Sequence, residues 1–552
     1  MNDEKKLPES EIAAGYSNPE YMKYVKAAKA AKPKREYSAL EVVIVWLCFV
    51  MGYLFCRVFP VVQSPFGGFL FVILLFGVTV FVLLKKGVKF GVMPCVMAAM
   101  AVAFSASLLL SSNAFLYWLS YVFALATYCY FVYSACGNRI KKGFSGLIAA
   151  DYFNAVFRLP LAAISCAKDA AFSGKAAKKS GKFMLKVLGG IAAALLPTVI
   201  VASLLSYDEG YNKIMGQIFS FDFADVFSHI VSILVGLLVG MYVFGLYVSS
   251  VDKYSAGSLT AEACDEGMKK LRIAPAVSVL VASVPLLFIY VVFFISQWQY
   301  YVSGFTGVLP EEFSYAEYAR EGFFQLCAVA FINLAVIIAM NLLLRRKTEK
   351  TPVFLKVITV VYSVFTLVLI STAISKMVMY ISSYGLTQKR VYSTCMMLVL
   401  AVLFVLIIIK QFVPKVATVA FSLVASVALF AVLSLGNVDA VIARYNVDRY
   451  LDGSLPTVDI EAMENLGDAA VPELVRLAKH MDAQNGTDIS APEIPETATE
   501  LYAELSLALR AEAEDITEEK NDKSVNALER FFSFNVSAMK AEKALAEIGL
   551  LE

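Results

Sequence analysis

Histidine is almost absent from this chain, and its scarcity excludes several kinds of chemistry. His229 and His480 are the only two histidines among 552 residues, so zinc, haem and catalytic-triad sites built on histidine lack their usual ligands. His229 begins an apolar run, where an interfacial hydrogen bond is the simpler interpretation and a proton relay is the alternative. No cofactor is predicted.

Motifs for nucleotide hydrolysis and metalloprotease chemistry are also missing. The sequence contains no Walker loop, no strand followed by GxGxxG and no HExxH, so an energy-coupled role would need a partner. No CxxC pair occurs, and we expect free thiols in place of disulfides or a zinc site. The cysteines are Cys48, Cys56, Cys95, Cys129, Cys136, Cys166, Cys264, Cys327 and Cys395.

Charged residues are scarce, whereas apolar residues are abundant. Charged residues make up 17% of the chain and hydrophobic residues 59%, and the mean hydropathy is +0.68, which is outside the range of soluble globular proteins. Residues 436–552 hold 10 Lys or Arg and 24 Asp or Glu, a balance of −14, while the rest holds 38 and 22, a balance of +16. We therefore expect a lipid bilayer around the chain, different compartments for its acidic and basic parts, and no nucleic-acid partner.

Eleven apolar runs are long enough to cross a bilayer core of roughly 30 Å, which needs about 20 helical residues. They predict an all-α fold: a polytopic α-helical membrane protein with about 11 transmembrane helices, arranged as four plus seven, and a small helical C-terminal soluble region. Because the first 38 residues are polar, the first run is expected to remain as an uncleaved anchor. The runs are Ala39–Phe59, Phe66–Leu84, Gly91–Leu110, Ala114–Ala135, Met184–Leu205, His229–Ser250, Ile273–Ser296, Phe323–Leu344, Phe354–Met379, Val391–Ile409 and Val416–Leu435.

Lysine and arginine are concentrated in the N-terminal tail and in every second connection between these runs. The intervening connections are uncharged or acid-rich, with Lys389 and Arg390 as the exception. The positive-inside rule therefore predicts a cytoplasmic N-terminus and an extracytoplasmic C-terminal tail. The basic connections include Lys85–Lys89, Lys269–Arg272, Arg345–Lys350 and Lys410–Lys415.

Charge and hydropathy divide the chain into five predicted parts. Helix formers in the last part are interrupted by Gly486, Pro492 and Pro495, which leaves open a small helical domain or a partly disordered acidic arm. The parts are a polar cytoplasmic tail at 1–38, a four-helix transmembrane part at 39–135, a basic amphipathic cytoplasmic linker at 136–183, a seven-helix transmembrane part at 184–436, and an acidic helical extracytoplasmic tail at 437–552.

The linker mixes apolar residues with Asp151, Asn154 and Arg158, and a run of lysines follows. Two interpretations stay open. The linker is either an interfacial helix held by anionic lipid headgroups or an ordinary topology signal.

Three segments on the predicted outer side carry charged and aromatic residues. Ser314 and Glu317 have the spacing of a capping box, and Glu317 shares a helical face with Arg320 and also with Glu321. The cluster either locks the helices together through ion pairs or lines a polar site for a headgroup or solute. No catalytic residue or metal ligand is predicted. The candidate residues are Glu317, Arg320, Glu321, Lys376, Tyr384, Arg390, Arg444 and Arg449.

The same segments carry a family resemblance. The chain resembles an uncharacterised family of bacterial multi-pass membrane proteins, labelled domain of unknown function 4173, which has a relative labelled 4153. The resemblance covers about Leu195–Leu451 and implies a bacterial cytoplasmic membrane, but it supplies no reaction, ligand or catalytic residue. The residues that carry it are Phe219–Phe223, Val243–Leu246, Tyr315–Gly322, Tyr384–Tyr392 and Ala443–Tyr450.

Three functions stay open from the sequence. The first is a non-enzymatic transport-like protein or accessory subunit. The second is a membrane sensor or scaffold that binds a protein partner through its acidic tail. The third is a membrane-embedded enzyme that acts on lipid-linked or envelope substrates through Glu317, Glu321 and Arg390.

Overall fold

The structure is a computed structural model in which the described residues are almost entirely helical. An isolated parallel bridge joins Ala274 to Leu344. The described residues are 35–58, 64–110, 113–141, 143, 145–173, 190, 197, 201, 223–253, 259–296, 323–345, 351–491, 499–521 and 527–551.

The helices up to residue 435 form the membrane part. In chain order they are α1 (Ala39–Val58), α2 (Pro65–Lys85), α3 (Val92–Ala106), α4 (Ala114–Ala135), α5 (Ile148–Phe153), α6 (Leu159–Ala162), α7 (Ile164–Ala171), α8 (Phe223–Val251), α9 (Ala261–Leu271), α10 (Ala276–Ser296), α11 (Phe323–Leu343), α12 (Val353–Tyr384), α13 (Gln388–Phe412) and α14 (Thr418–Leu435).

Ten helices among the described residues are long and apolar enough to cross a membrane. This confirms the predicted all-α, polytopic fold. Each of the ten coincides with one predicted run. The remaining run, Met184–Leu205, lies outside the described residues except at Gly190, Pro197 and Val201.

The chain divides into two compact units, Met1–Leu47 with Ala167–Asp222, and Cys48–Cys166 with Phe223–Glu552. In the first unit a capping box opens α1. The Glu41 carboxylate accepts hydrogen bonds from the Ser38 amide at 2.9 Å and from Arg35 at 2.8 Å. These contacts satisfy a donor that the helix start would otherwise leave unpaired.

In the second unit, glycines allow α1 and α8 to approach closely. A Cβ atom at Gly236 would lie 2.7 Å from the Tyr53 amide nitrogen, and one at Gly240 would lie 2.7 Å from the Cys48 carbonyl oxygen. The spacing of the two glycines is the small-residue pattern that lets membrane helices pack backbone to backbone. Nearby, the Tyr53 hydroxyl and His229 Nδ1 share a hydrogen bond of 2.8 Å.

A buried polar network joins α10, α11 and α12. The Tyr290 hydroxyl donates to Asn333 Oδ1 at 2.6 Å, and Asn333 Nδ2 donates to Thr366 Oγ1 at 2.8 Å. Tyr362 also donates to the Ser283 carbonyl at 2.8 Å. Since polar side chains in a bilayer interior need internal partners, this network fixes the three helices against one another.

The last helix of the membrane part, α14, packs against helices near the front of the chain. The Phe430 ring stacks on Phe104 with centroids 5.0 Å apart and meets Phe123 edge-on at 5.7 Å. Thus α14, which belongs to the predicted seven-helix part, lies beside α3 and α4.

Residues 437–552 are called the helical tail below, and those that the structure describes pack around a shared hydrophobic core. Leu477, Leu505, Leu509 and Leu545 are completely buried, and burying one such side chain contributes about 1.5–3 kcal/mol. The sequence left open a small helical domain or a partly disordered acidic arm, and the described residues of the tail form the helical domain. Its helices are α15 (Val438–Leu451), α16 (Ile460–Glu464), α17 (Val471–Asn485), α18 (Glu500–Asn521), α19 (Ala527–Phe532) and α20 (Val536–Glu547).

Candidate functional site

Three of the predicted site residues meet at the C-terminus of α12. Arg390 Nη1 donates to the Tyr384 carbonyl at 2.8 Å, and its guanidinium lies 4.0 Å from the centre of the Tyr380 ring. Arg449 Nη1 donates to the Ile381 carbonyl at 3.3 Å. A helix leaves its last carbonyls unpaired and carries partial negative charge there. Both arginines therefore stabilise the end of α12.

The other described candidates lie elsewhere. Arg444 is 72% exposed and lies 3.6 Å from Asp448 in the next turn of α15. Lys376 is half-buried on α12, about two turns before Tyr384. Glu317, Arg320 and Glu321 lie outside the described residues, so their predicted contacts with the arginines stay a prediction.

Asp448 instead connects α15 to α17. It forms an ion pair with Arg476, whose other terminal nitrogen lies 2.7 Å from Glu473. The hydrogen bond from Asp448 raises the pKa of Arg476 above its ordinary value. This pair is a contact within the helical tail.

Asn446 clamps the helical tail to the turn after α12. Its Oδ1 accepts from the Leu386 amide at 2.7 Å, and its Nδ2 donates to the Leu386 carbonyl at 2.9 Å. One side chain thereby satisfies both main-chain groups of a residue in the membrane part. The preceding Gly385 has φ +73°, and a Cβ there would lie 2.5 Å from Asn446 Oδ1.

A second polar contact joins the helical tail to the start of α4. Asn113 Nδ2 donates to Asp439 Oδ2 at 2.8 Å, and Gln388 Nε2 donates to Asp439 Oδ1 at 3.0 Å. Asn113 also caps α4, because its Oδ1 accepts from the Leu116 amide at 2.9 Å. Asp439 is completely buried in the first turn of α15, where a helix start favours negative charge.

The helical tail also contacts the ends of α2 and α3. The Ser64 hydroxyl donates to the Phe532 carbonyl at 3.1 Å, and Ser537 donates to the Leu110 carbonyl at 2.8 Å. The Phe66 and Phe531 rings meet edge-on at 5.0 Å. One end of the membrane part, called the docking end below, therefore collects the start of α2, the end of α3, the start of α4 and the end of α12.

Sequence reasoning selected the arginines of this docking end but passed over Asn113, Gln388, Asp439 and Asn446. The local sequence around each of these four residues contained a signal that could have indicated such a contact. All four are short or medium polar side chains placed just outside an apolar run or in the first turns that follow it. Such positions favour caps and side-chain contacts to the main chain.

At the opposite end of the membrane part, the described portion of the predicted linker, up to residue 173, forms a series of short helices. Asp151 is buried and accepts from the Tyr133 hydroxyl at 2.8 Å and from the Ile140 amide at 2.9 Å. Burial raises the pKa of the Asp151 carboxyl above its ordinary value. Phe153 and Phe157 are about half exposed and lie side by side at 5.5 Å.

An apolar cleft of about 1130 Å³ lies between α3 and α14. Met93, Met97 and Met100 line it along α3, and Lys89 and Arg139 lie at its mouth, at the end of the membrane part opposite the docking end. The Arg139 Nε atom is buried and has no hydrogen-bond partner among the described residues. The cleft therefore combines apolar walls with positive charge at one end.

Within the part of the chain that the structure describes, no three His, Cys, Asp or Glu side chains are grouped so that they could hold a metal ion. All nine cysteines are described, and each is a free thiol.

These features define a multi-span α-helical membrane protein that carries a folded helical tail on one end of its membrane part. The chain belongs to the family described as domain of unknown function 4153, whose family model matches residues 98–477. This is the family that the sequence predicted as a relative, and the match reaches further on both sides than the predicted Leu195–Leu451. Neither the curated proteins nor the solved structures include a match.

Proposed function

We propose that this protein is a non-enzymatic accessory subunit or scaffold of a bacterial cytoplasmic membrane, which holds its helical tail outside the membrane for a protein partner. The N-terminus is cytoplasmic and the helical tail extracytoplasmic. This proposal combines the accessory role with the partner-binding role of the tail.

The observation that carries the proposal is the clamp between Asn446 and Leu386. Its two hydrogen bonds of 2.7 and 2.9 Å fix α15 directly on the turn between α12 and α13. The buried contact between Asn113 and Asp439 adds a second point of attachment. A tail attached at two points presents its free surface in one orientation, and such preorganisation lowers the entropic cost of binding a partner.

The charge of the helical tail favours a basic partner. Residues 436–552 carry a balance of −14, from 10 Lys or Arg and 24 Asp or Glu. Negative charge is crowded on α18, where burial and the neighbouring Asp468 raise the pKa of Glu512 to about 7. A basic surface would relieve this repulsion and associate faster through electrostatic attraction.

The transport-like alternative receives less support from the described interior. The polar groups of Tyr290, Asn333 and Thr366 bind one another, which is the arrangement of a lock between helices. The enzyme alternative depends on Glu317, Glu321 and Arg390. Of these, Arg390 is described, and it binds main-chain carbonyls at the end of α12.

The proposal is tested by photo-cross-linking in native membranes. A photoreactive residue in place of Leu507, which is 61% exposed on the acidic helix α18, should form protein adducts that mass spectrometry identifies. The matched control replaces Phe421, which is 49% exposed on the apolar helix α14, and should label lipid. If Leu507 yields no protein adduct, or yields the same adducts as Phe421, the proposed partner-binding role is wrong.

A further inference from the structure

The cleft between α3 and α14 has the length and walls that suit a lipid chain. Its wall α3 has 15 residues, which corresponds to about 22 Å of helix and exceeds half of a hydrocarbon core of roughly 30 Å. Its methionines are flexible and adapt to irregular apolar shapes. A volume of about 1130 Å³ exceeds the usual range of roughly 300–1,000 Å³ for small-molecule pockets.

The cleft is open to the surroundings of the membrane part. Val92, Val96 and Val424 line it and are exposed by 82%, 45% and 47%. In a helix that crosses a bilayer, these side chains face lipid. A lipid molecule can therefore enter from the side without passing through water.

The mouth of the cleft supplies positive charge. Lys89 is exposed, and Arg139 donates from Nη2 to the Gly143 carbonyl at 2.6 Å. Arg139 Nε makes no well-aligned hydrogen bond within the described part of the chain, and the Tyr130 hydroxyl and the Asp151 carboxylate lie beside the guanidinium. A phosphate oxygen is an acceptor that guanidinium groups bind well.

We propose that this cleft is a binding site for one anionic phospholipid. The phosphate contacts Lys89 and Arg139, and an acyl chain lies along the methionines of α3. This site is independent of the partner-binding role of the helical tail, because its two cations lie at the other end of the membrane part and its lining includes no residue of the tail.

The test measures phosphatidylglycerol retained by the full-length protein, using native mass spectrometry and the lipid-dependent rise in Tm. The double variant Lys89→Ala with Arg139→Ala should bind this lipid more weakly, by roughly fivefold for each cation removed, the ratio that about 1 kcal/mol gives. The charge-matched control is Lys269→Ala with Lys270→Ala, two residues of α9 that do not line the cleft. That control should retain phosphatidylglycerol as the unmodified protein does.

A second variant tests the apolar wall without changing charge. Ala431→Trp fills part of the cleft and should abolish retention of phosphatidylglycerol even if the double variant proves unstable. Phosphatidylcholine and inorganic phosphate are the comparison ligands. An equal rise in Tm with either of them, or unchanged retention in both cleft variants, would overturn the proposal.

Discussion

Gly385 is a residue at which a single added methyl group would disturb the attachment of the helical tail. Its φ of +73° disfavours any L side chain, and an added Cβ would lie 2.5 Å from Asn446 Oδ1. We expect Gly385→Ala to cost about 2–4 kcal/mol, of which about 1–3 is the strain of a backbone with positive φ and extended ψ, which glycine alone adopts readily, and the rest the disturbed clamp. The measurement is denaturant unfolding in detergent, followed by limited proteolysis of the tail.

Gly453 is the matched control for this substitution. It has φ +78°, but no atom lies within 4 Å of an added Cβ. Gly453→Ala should therefore lower the free energy of unfolding only through backbone strain. Combining Gly385→Ala with Asn446→Ala should be less damaging than the sum of the two, because the truncated Asn446 leaves room for the methyl group. Equal losses at Gly385 and Gly453 would show that the clamp is unimportant.

Within the docking end, the sequence could identify only those residues that are close to one another along the chain. Tyr384 and Arg390 flank the same helix end, so their proximity follows from local sequence. Asn113 and Asp439 are separated by 326 residues. Nothing in either segment indicates the other, because the contact arises from long-range packing of the tail.

Among the helices, the close contact between α1 and α8 depends on a glycine, because a side chain at that position would meet the opposite backbone. A Cβ at Gly240 would lie 2.7 Å from the Cys48 carbonyl, so Gly240→Ala must separate two backbones. We expect a loss of about 1–3 kcal/mol, which is typical of overpacking. Thermal unfolding in detergent measures it.

Gly77 on α2 provides the comparison for this prediction. No atom lies within 4 Å of an added Cβ at Gly77, and alanine is the better helix former by about 1 kcal/mol. Gly77→Ala should therefore leave Tm unchanged or raise it slightly. A similar change in Tm for both substitutions would rule out close packing of α1 on α8 as the cause.

The positions of the helices could be predicted because hydropathy is a local property. The residues at which the helices end were predicted less accurately. The fourth run was predicted at Ala114–Ala135 and is observed with the same bounds. The ninth was predicted to end at Met379, yet α12 continues to Tyr384. The additional turn is polar and aromatic, and it is stabilised by Arg390 and Arg449 from outside the helix, a contribution that a hydropathy pattern does not contain.

For the whole molecule, the opposite ends of the membrane part differ in charge. The docking end carries a tail with a balance of −14, whereas lysines and arginines gather at the other end of the helices, as at Lys85 and Lys89 after α2. A cytoplasmic location for the basic end is the orientation that membrane insertion favours. The proposed position of the tail outside the membrane follows from that asymmetry.

This orientation predicts which engineered cysteines an impermeant reagent reaches. In proteins whose nine native cysteines have been replaced, Arg444→Cys, at a side chain that is 72% exposed on α15, should react with a charged maleimide in intact cells. Lys269→Cys, on the exposed helix α9, should react only after the cells are made permeable. Each variant is the control for the other, because both sites are accessible in solubilised protein. Labelling of Lys269→Cys but not Arg444→Cys in intact cells would reverse the orientation, and it would move the acidic surface proposed for partner binding into the cytoplasm.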